Sequence, residues 1–264
     1  MPTEKTNPAE DQRLAPTMAP QRVMRIIEAL SESREGLTLT QLCARTSLPK
    51  TSLFSLLRSL AEGSYVISEG KSHRLGPETY RIAAVIYKTD RFPGNVRPML
   101  EELQKACGET VMLGVPTEDW MSLIYADVIE STSWLRFSAN VGAHRPLYST
   151  SVGKVILAYT DEKLRQRYLK NTDLVPKTAY TKVTRQALIR ELDDIRANGY
   201  VISRGSVEGA TGMAAPVFNA EGQLVAAVAT AGPSERFERQ RAHLLASVRD
   251  CAAKMSSKLG YNGT

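Results

Sequence analysis

The clearest pattern of hydrophobic and polar positions lies between Leu48 and Leu60. Four leucines in this stretch have the spacing i, i+3, i+4 and i+7, which places them on one stripe of a helix and predicts that the stripe is buried. These leucines are Leu53, Leu56, Leu57 and Leu60. The other stripe consists of Lys50, Thr51, Phe54, Ser55 and Arg58. Short hydroxyl groups and cations on one exposed stripe suit a helix that lies against phosphates and base edges.

The segments on either side of this helix predict a winged helix-turn-helix. Thr40 can cap a short helix over 41–45, and 46–49 is short and polar enough for a tight corner before the next helix. Downstream, two short extended runs flank a hairpin turn at 69–72, which contains a glycine. In such a domain the second helix enters the major groove and the wing contacts the backbone. The candidate DNA-binding residues are Arg22, Thr40, Lys50, Thr51, Ser52, Phe54, Ser55, Arg58, Lys71 and Arg74.

Charge favours this interpretation over the alternative, a small helical bundle whose cations form a solvated face. Eleven basic and six acidic side chains lie between Arg13 and Lys88, which gives this part a net charge of +5, compared with +6 for the whole chain. A phosphate-binding surface requires such an excess. The remainder is nearly balanced, so we expect it to bind something other than nucleic acid.

Length and composition limit the other possibilities. With 264 residues, of which 42% are hydrophobic, the chain is long enough for two domains. No apolar run approaches the roughly 18 residues that span a bilayer, and no signal-peptide pattern opens the sequence, so we expect a cytoplasmic protein without a membrane partner. Cys43, Cys107 and Cys251 are far apart and lack ligand spacing, which predicts reduced, mostly buried thiols and neither a metal nor a disulfide.

Two glycine-containing stretches raise the alternative of an enzyme, and both fail on spacing. A phosphate loop needs a glycine five residues before its Gly-Lys pair and a Ser or Thr after it, but Tyr148 and Val155 occupy those places around the pair at 153–154. The glycines between 205 and 212 do not follow the GxGxxG order of a dinucleotide-binding turn. We therefore expect no enzymatic activity and no cofactor.

The order of predicted elements divides the chain into four parts. They are a disordered arm at 1–18, in which Arg13 could touch DNA, the winged helix-turn-helix domain at 19–76, a linker helix and its break at 77–94, and a second domain at 95–264. In the second domain, strands are predicted at 109–115, 121–128, 133–137, 200–204, 213–218 and 223–230, and helices at 96–107, within 151–169, at 185–198 and at 234–258. Consecutive hairpin-like strands with helices set to one side predict an antiparallel α+β fold.

Short motifs follow one another along the chain in a fixed order. They are LPKTS at 48–52, RLG at 74–76, GETV at 108–111, RPLYSTSVGK at 145–154, NGY at 198–200, AAPVF at 214–218 and AGP at 231–233. From about Ala19 to Gly260 the chain thereby resembles the bacterial IclR family of transcriptional regulators. The resemblance implies a mixed α/β protein with a winged-helix domain, a linker helix and a GAF-like effector domain. It also implies a homodimer or homotetramer on a near-palindromic operator in double-stranded DNA.

Three residues depart from the family's pattern. Ser55 stands where arginine is most frequent, which removes a pair of donors that could bind guanine and predicts a different operator preference. Tyr148 stands where a histidine is usual, and Gly205 stands where an acidic residue is usual.

The resemblance also implies where a small organic acid would bind as effector. In relatives that bind small keto acids, the carboxylate is held by backbone amides that correspond to Ser151 and Val152 and by polar side chains on the later strands. The side-chain positions correspond to Ile202, Gly212, Ala229 and Ala231, which are apolar or lack a side chain. Because each unpaired ligand oxygen would cost about 1–3 kcal/mol, we expect a larger and less polar acid.

We therefore hypothesise an aromatic or hydrophobic carboxylate whose ring contacts Leu113, Phe137 and Met213 and whose charge lies near the Ser151 amide or Arg145. One alternative is that Phe137 and Met213 are core residues and Arg145 is a surface cation. Another is that the second domain binds a protein partner and senses no small molecule. The function implied by the resemblance is control of a nearby catabolic operon, with repression favoured over activation because it is the commoner outcome in the family.

Overall fold

The computed structural model describes residues 19–33, 35–88 and 92–263. Chain contacts divide these residues into two compact units, 19–88 and 92–263. The predicted arm at 1–18, with Arg13, lies outside the described residues, and the predicted domain boundaries stay predictions. Among the helices of the described residues, none combines the length and the apolar character needed to cross a membrane.

Four helices and a small sheet build the N-terminal unit. The helices are α1 (Ala19–Ser31), α2 (Leu39–Thr46), α3 (Lys50–Glu62) and α4 (Pro77–Lys88). The strands are β1 (Leu37–Thr38), β2 (Val66–Glu69) and β3 (Ser72–Leu75), which pair antiparallel in the order β1-β3-β2. The helix, turn, helix and hairpin follow one another as predicted. The sequence pattern missed β1, because a two-residue strand is too short to show an alternation of period two.

The start of α2 differs from the prediction. Thr38, and not Thr40, is the N-cap residue: its hydroxyl accepts the N–H of Gln41 at 3.3 Å, and Gln41 Oε1 accepts the N–H of Thr38 at 2.8 Å. This reciprocal capping box satisfies two backbone donors at once. Thr40 is an exposed residue inside the helix.

The four leucines of α3 are not buried equally. Leu53 and Leu57 are 0% and 3% exposed in the core that α3 shares with α1 and α2. Leu56 and Leu60 are partly buried at the edge of this core. The predicted stripe is therefore centred on the line that joins Leu53 and Leu57.

Six antiparallel strands form the sheet of the C-terminal unit, in the order β6-β5-β4-β9-β8-β7. They are β4 (Thr110–Pro116), β5 (Leu123–Ile129), β6 (His144–Arg145), β7 (Val201–Ser203), β8 (Ala210–Phe218) and β9 (Leu224–Pro233). The helices are α5 (Arg97–Cys107), α6 (Ser151–Tyr159), α7 (Glu162–Asn171), α8 (Arg185–Asn198), α9 (Ser234–Arg239) and α10 (Arg241–Lys258), and a 3-10 turn (Gly94–Val96) precedes α5. The predicted antiparallel α+β class is confirmed.

Each face of this sheet packs against its own helices, so the expectation of helices on one side only is wrong. Met112 and Ala229 are paired across β4 and β9 and belong to the core that contains α6, α7 and α8. Leu113 and Val228, the next pair along the same strands, belong to the core that contains α5 and α10. Because successive side chains of a strand point to opposite faces, these two cores lie on opposite sides of the sheet.

Two predicted elements take another form. Residues 133–137 form no strand, because side chains hold this segment in place of a strand ladder: Ser131 Oγ donates to the Gly108 carbonyl at 2.6 Å, and Thr110 Oγ1 donates to the Phe137 carbonyl at 2.5 Å. The third strand along this domain is instead β6, at one edge of the sheet. The helix predicted at 234–258 is broken at Gln240, whose φ of −113° and ψ of 17° are not helical.

Truncation of a fully buried leucine of α3 should destabilise the N-terminal unit more than truncation of a partly buried leucine of the same helix. We expect Leu53→Ala to lower the free energy of unfolding by about 2–5 kcal/mol, because it opens a cavity in a packed core. Leu56→Ala should cost less, because Leu56 is only partly buried. Amide hydrogen exchange of peptides that cover 37–76 in the full chain measures both losses, and equal losses would contradict the unequal burial.

Candidate DNA interface and effector site

The exposed stripe of α3 presents the residues that the sequence singled out. Lys50, Thr51, Phe54, Ser55 and Arg58 are all exposed, while the leucines of the opposite stripe anchor the helix in the core. The helix begins after Pro49 without a side-chain cap. The N–H groups of its first turn have no acceptor within the helix, and this end can therefore meet an anion such as a phosphate.

Other predicted DNA contacts lie on α1 and on the hairpin. Arg22 on α1 donates to Ser52 Oγ at 3.3 Å, so these two candidates are neighbours. Arg74 on β3 pairs with Glu69 across the hairpin, and Lys71 is exposed at its tip. Exposed ion pairs contribute little to stability, so a phosphate can compete for the Arg74 guanidinium.

The N-terminus of α6 lies against one face of the sheet of the C-terminal unit. Thr150 caps the helix, and its Oγ1 accepts the N–H of Gly153 at 3.0 Å. Ser151 and Val152 occupy the first two helical positions, whose N–H groups an α-helix leaves without an internal acceptor. Together with the helix dipole, these N–H groups favour an anion.

Small residues form the floor beneath this helix end. A side chain at Gly212 would come within 2.6 Å of Ser151 Oγ, so the absence of a side chain there is what makes room for Ser151. Ala229 and Ala231 on the neighbouring strand are buried at 0% and 5% exposure. The predicted positions Ser151, Gly212, Ala229 and Ala231 are therefore together on one face, and the three floor positions offer no side-chain hydrogen bond.

Three predicted effector-binding residues lie on the opposite face of the sheet. Leu113 and Met213 are buried in the core with α5 and α10, and Ile202 packs against the same core. Ile202 pairs with Met213 across β7 and β8, so the two share a face. Phe137, by contrast, packs against the core of the α6 face. The predicted ring position between Leu113, Phe137 and Met213 is therefore wrong.

Ser203, which the sequence analysis missed, takes the place predicted for Ile202. Because the side chains of β7 alternate, Ser203 faces α6, and its Oγ accepts a hydrogen bond from Lys154 Nζ at 3.0 Å. The Lys154 side chain is 1% exposed and also donates to Glu191 Oε1 on α8 at 2.8 Å. Burial lowers the pKa of the Lys154 ammonium, and the Glu191 carboxylate opposes this shift. The pairing of β7 with β8, which sets Ser203 opposite Gly212, identifies Ser203; the sequence pattern alone does not, because both faces of the sheet are covered.

Tyr148 and Arg145 differ in their placement at the rim of this face. Tyr148 is buried, and its hydroxyl donates to the Val175 carbonyl at 2.8 Å, in the segment between α7 and α8. Arg145 on β6 is exposed, with its guanidinium 5.9 Å from the centre of the Tyr125 ring. Burial raises the pKa of the Tyr125 hydroxyl, and the Arg145 charge acts against that increase.

In the described part of the chain, no group of three or more His, Cys, Asp or Glu side chains is placed to hold a metal ion. Cys107 and Cys251 are buried free thiols, and Cys43 is a partly buried one. Burial raises the pKa of Cys251 to about 12, so this thiol stays protonated at neutral pH.

Comparisons with known proteins agree with this division of the chain. Residues 19–69 match the family model described as the IclR helix-turn-helix domain, and residues 93–257 match the one described as bacterial transcriptional regulator IclR C-terminal. The chain belongs to the IclR family. It is thus an IclR-type DNA-binding transcriptional regulator, as the resemblance implied.

Named IclR relatives are similar over most of their length. HTH-type transcriptional regulator KdgR of Escherichia coli is 30% identical, with 91% of this chain and 92% of the relative covered. Transcriptional repressor IclR of the same organism is 27% identical, with 92% and 89% covered. An IclR homolog from Microbacterium hydrocarbonoxydans, solved in complex with 4-hydroxybenzoate, has a TM-score of 0.79 at 21% identity, with 91% and 98% covered. The relatives are regulators, which confirms the expectation that the chain is not an enzyme.

Removal of the carboxylate beside Lys154 should destabilise the C-terminal unit of this IclR-family chain in a pH-dependent way. We expect Glu191→Gln to cost up to about 3 kcal/mol at neutral pH, because it leaves a buried ammonium without its counter-charge. The change also lowers the pKa of Lys154 further below that of a lysine in the unfolded chain. The folded protein then releases this proton at a lower pH than the unfolded chain, so stability recovers as the pH rises through that interval.

Chemical unfolding at neutral pH and at about pH 10, near the ordinary pKa of lysine, measures both effects. Glu235→Gln is the matched control, because Glu235 and its partner Arg239 are 85% and 67% exposed. The control should lose about 0–1 kcal/mol. A loss in Glu191→Gln that equals the control, or that does not shrink at high pH, would contradict this account of the buried charge.

Proposed function

We propose that this regulator binds a near-palindromic operator by inserting α3 into the major groove, with its hairpin against the DNA backbone. The observation that carries the proposal is the exposed stripe of α3, in which Lys50 and Arg58 flank Thr51, Phe54 and Ser55. A homodimer or homotetramer would present two such helices to half-sites about one or two helical turns apart.

Fragment selection tests this proposal directly. Fragments of sheared genomic DNA from the source organism that bind the full chain are recovered, and the enriched site is footprinted. A palindrome with the expected half-site spacing supports the proposal, and the adjacent genes indicate the operon that is controlled. If no fragment is enriched, either with or without aromatic acids, the proposal is overturned.

We infer further that the C-terminal unit binds an aromatic or hydrophobic carboxylate on the α6 face of its sheet. The apolar floor at Gly212, Ala229 and Ala231 suits a ring better than a small keto acid, and Phe137 packs against the same face. The carboxylate would lie at the N–H groups of Ser151 and Val152. The homolog from Microbacterium hydrocarbonoxydans is a complex with such an acid, 4-hydroxybenzoate, which supports the proposal for this fold.

We propose repression of a nearby catabolic operon as the mode of control. A relative named a transcriptional repressor is 27% identical and supports this choice. The effector can change DNA binding only if it has different affinities for the arrangements of the protein that fit and do not fit the two half-sites. α4 follows the hairpin directly along the chain, and it is the element on which we expect this difference to act.

Arg58→Ala tests the contact between α3 and phosphate. Arg58 is 76% exposed and pairs with Glu62 at 3.2 Å, so it can exchange this partner for a phosphate. We expect weaker operator binding and a slope of log K against log salt that is smaller by about one unit, because one fewer counterion is released. Operator titrations at several salt concentrations measure the slope.

Arg239→Ala is the matched control for the loss of one positive charge, because Arg239 is an exposed residue of the C-terminal unit. This variant should keep the wild-type slope. If Arg58→Ala also keeps that slope, Arg58 belongs to the solvated surface.

Calorimetric titration tests the effector class. We expect the full chain to bind one or more benzoates more tightly than glyoxylate or pyruvate, and Phe137→Ala to weaken benzoate binding by up to roughly tenfold through loss of apolar contact. Ile202→Ala should bind like the wild type, because Ile202 packs on the opposite face of the sheet. Tight binding of keto acids alone would contradict the aromatic effector. Binding of no acid would favour a protein partner instead.

A further inference from the structure

Phe54 is a large apolar side chain that the N-terminal unit leaves in water. It is 64% exposed in the middle of α3. Among the described side chains of this unit, the other large hydrophobic ones with high exposure are Met24 on α1 and Tyr80, Ile82 and Val85 on α4. The four leucines of α3 pack into or against the core, whereas Phe54 lies on the opposite stripe of the helix. We therefore expect a binding partner to cover the Phe54 ring.

The neighbours of Phe54 on the helix indicate what that partner is. Lys50 lies four residues before Phe54 and Arg58 lies four residues after it, so the three side chains follow one line on the helix surface. Thr51 and Ser55 beside this line are short. In a DNA groove, phosphates border the base edges. Two cations with an aromatic ring between them match that order, with the cations at the backbones and the ring at the bases.

Only one kind of group on the floor of the major groove is apolar. It is the C5-methyl group of thymine, which side chains such as phenylalanine can contact. The Phe54 ring carries no hydrogen-bonding atom and cannot distinguish base donors from acceptors. Ser55 is too short to hold the ring away from the bases. We propose that Phe54 selects thymine at one position of each operator half-site by contact with the C5-methyl group.

This inference rests on the proposed function of α3 as the helix that enters the major groove. Replacement of thymine by 2′-deoxyuridine tests it, because the exchange removes the methyl group and keeps the hydrogen bonds of the base pair. The operator duplex recovered by fragment selection is synthesised with each thymine replaced in turn, and the full chain is titrated against every duplex. At the contacted position we expect about fourfold weaker binding for each methyl group removed, the factor for returning one CH2-sized group to water.

Variants of α3 assign that effect to one side chain. Phe54→Ala should bind the natural operator more weakly and should bind thymine and deoxyuridine duplexes equally well. Phe54→Tyr keeps the ring and should keep the discrimination. Arg58→Ala is the matched control: it should weaken binding to both duplexes by the same factor and leave their ratio unchanged. Because Phe54 is exposed, its alanine variant should keep the wild-type melting temperature.

Two results would overturn the inference. The first is a wild-type protein that binds every deoxyuridine duplex as tightly as the natural operator. The second is discrimination that persists in Phe54→Ala. Failure to recover any operator is a different result, because it removes the proposed function of α3 itself, whereas a recovered operator without methyl dependence overturns only the role of Phe54.

Discussion

The close approach of α6 to the sheet is the constraint on which the C-terminal unit depends. All eight residues from 151 to 158 are buried, so this part of the helix has no solvent-exposed face toward which it could shift to relieve a steric clash. Glycine provides the space on the sheet side, where a side chain at Gly114 would meet Val152 at 2.4 Å. Within α6 itself, a side chain at Gly153 would meet the backbone of Leu147, which precedes the helix, at 2.4 Å. Interiors are packed at crystal-like density, so the helix can sit at this depth only because those side chains are missing.

This depth also explains the buried ion pair. A lysine in a helix that is enclosed on every side must bring its ammonium group into the protein, where an unpaired charge is costly. Lys154 is stabilised there by Glu191 from α8 and by Ser203 from β7. Since these partners come from two different elements, the pair also fixes α6 relative to both. The small residues thus allow α6 to approach the sheet, and the paired Lys154 fixes the position of the same helix.

Elements that are set by interactions between residues close in sequence could be predicted from the sequence, and elements that are set by interactions between distant residues could not. The bounds of α8 were predictable because they are set locally, by the cap at Thr184 and by Gly199 with φ of 77°. The segment at 133–137 was mispredicted because Thr110, which holds it, lies 27 residues away from Phe137. Local propensity favoured a strand, and a distant hydrogen bond overruled it.

The two candidate sites differ in the same way. α3 has one buried and one exposed stripe, so its polar pattern alone identified the surface that faces outward. The sheet of the C-terminal unit is covered on both faces. Successive residues such as Met112 and Leu113 are therefore both apolar, and their hydrophobicity does not indicate which face each side chain belongs to. An error of one residue in the expected strand register then selects Ile202 in place of Ser203, and it assigns a predicted ligand contact to the wrong face of the sheet. Register, which is a property of paired strands, was needed to separate them.

The same geometry makes the α6 face a reasonable place for a ligand to act. Ser151 Oγ already occupies the space beside Gly212, so a ring that enters there would have to displace it. A displacement at the first residue of a fully buried helix cannot be absorbed locally, because packed interiors transmit strain. It would reach Lys154 one turn later, and with it the contacts to α8 and β7. If displacement of α6 favours one arrangement of the unit over another, a ligand on this face meets the condition for a ligand-driven change in DNA binding, which is a different affinity for the two arrangements.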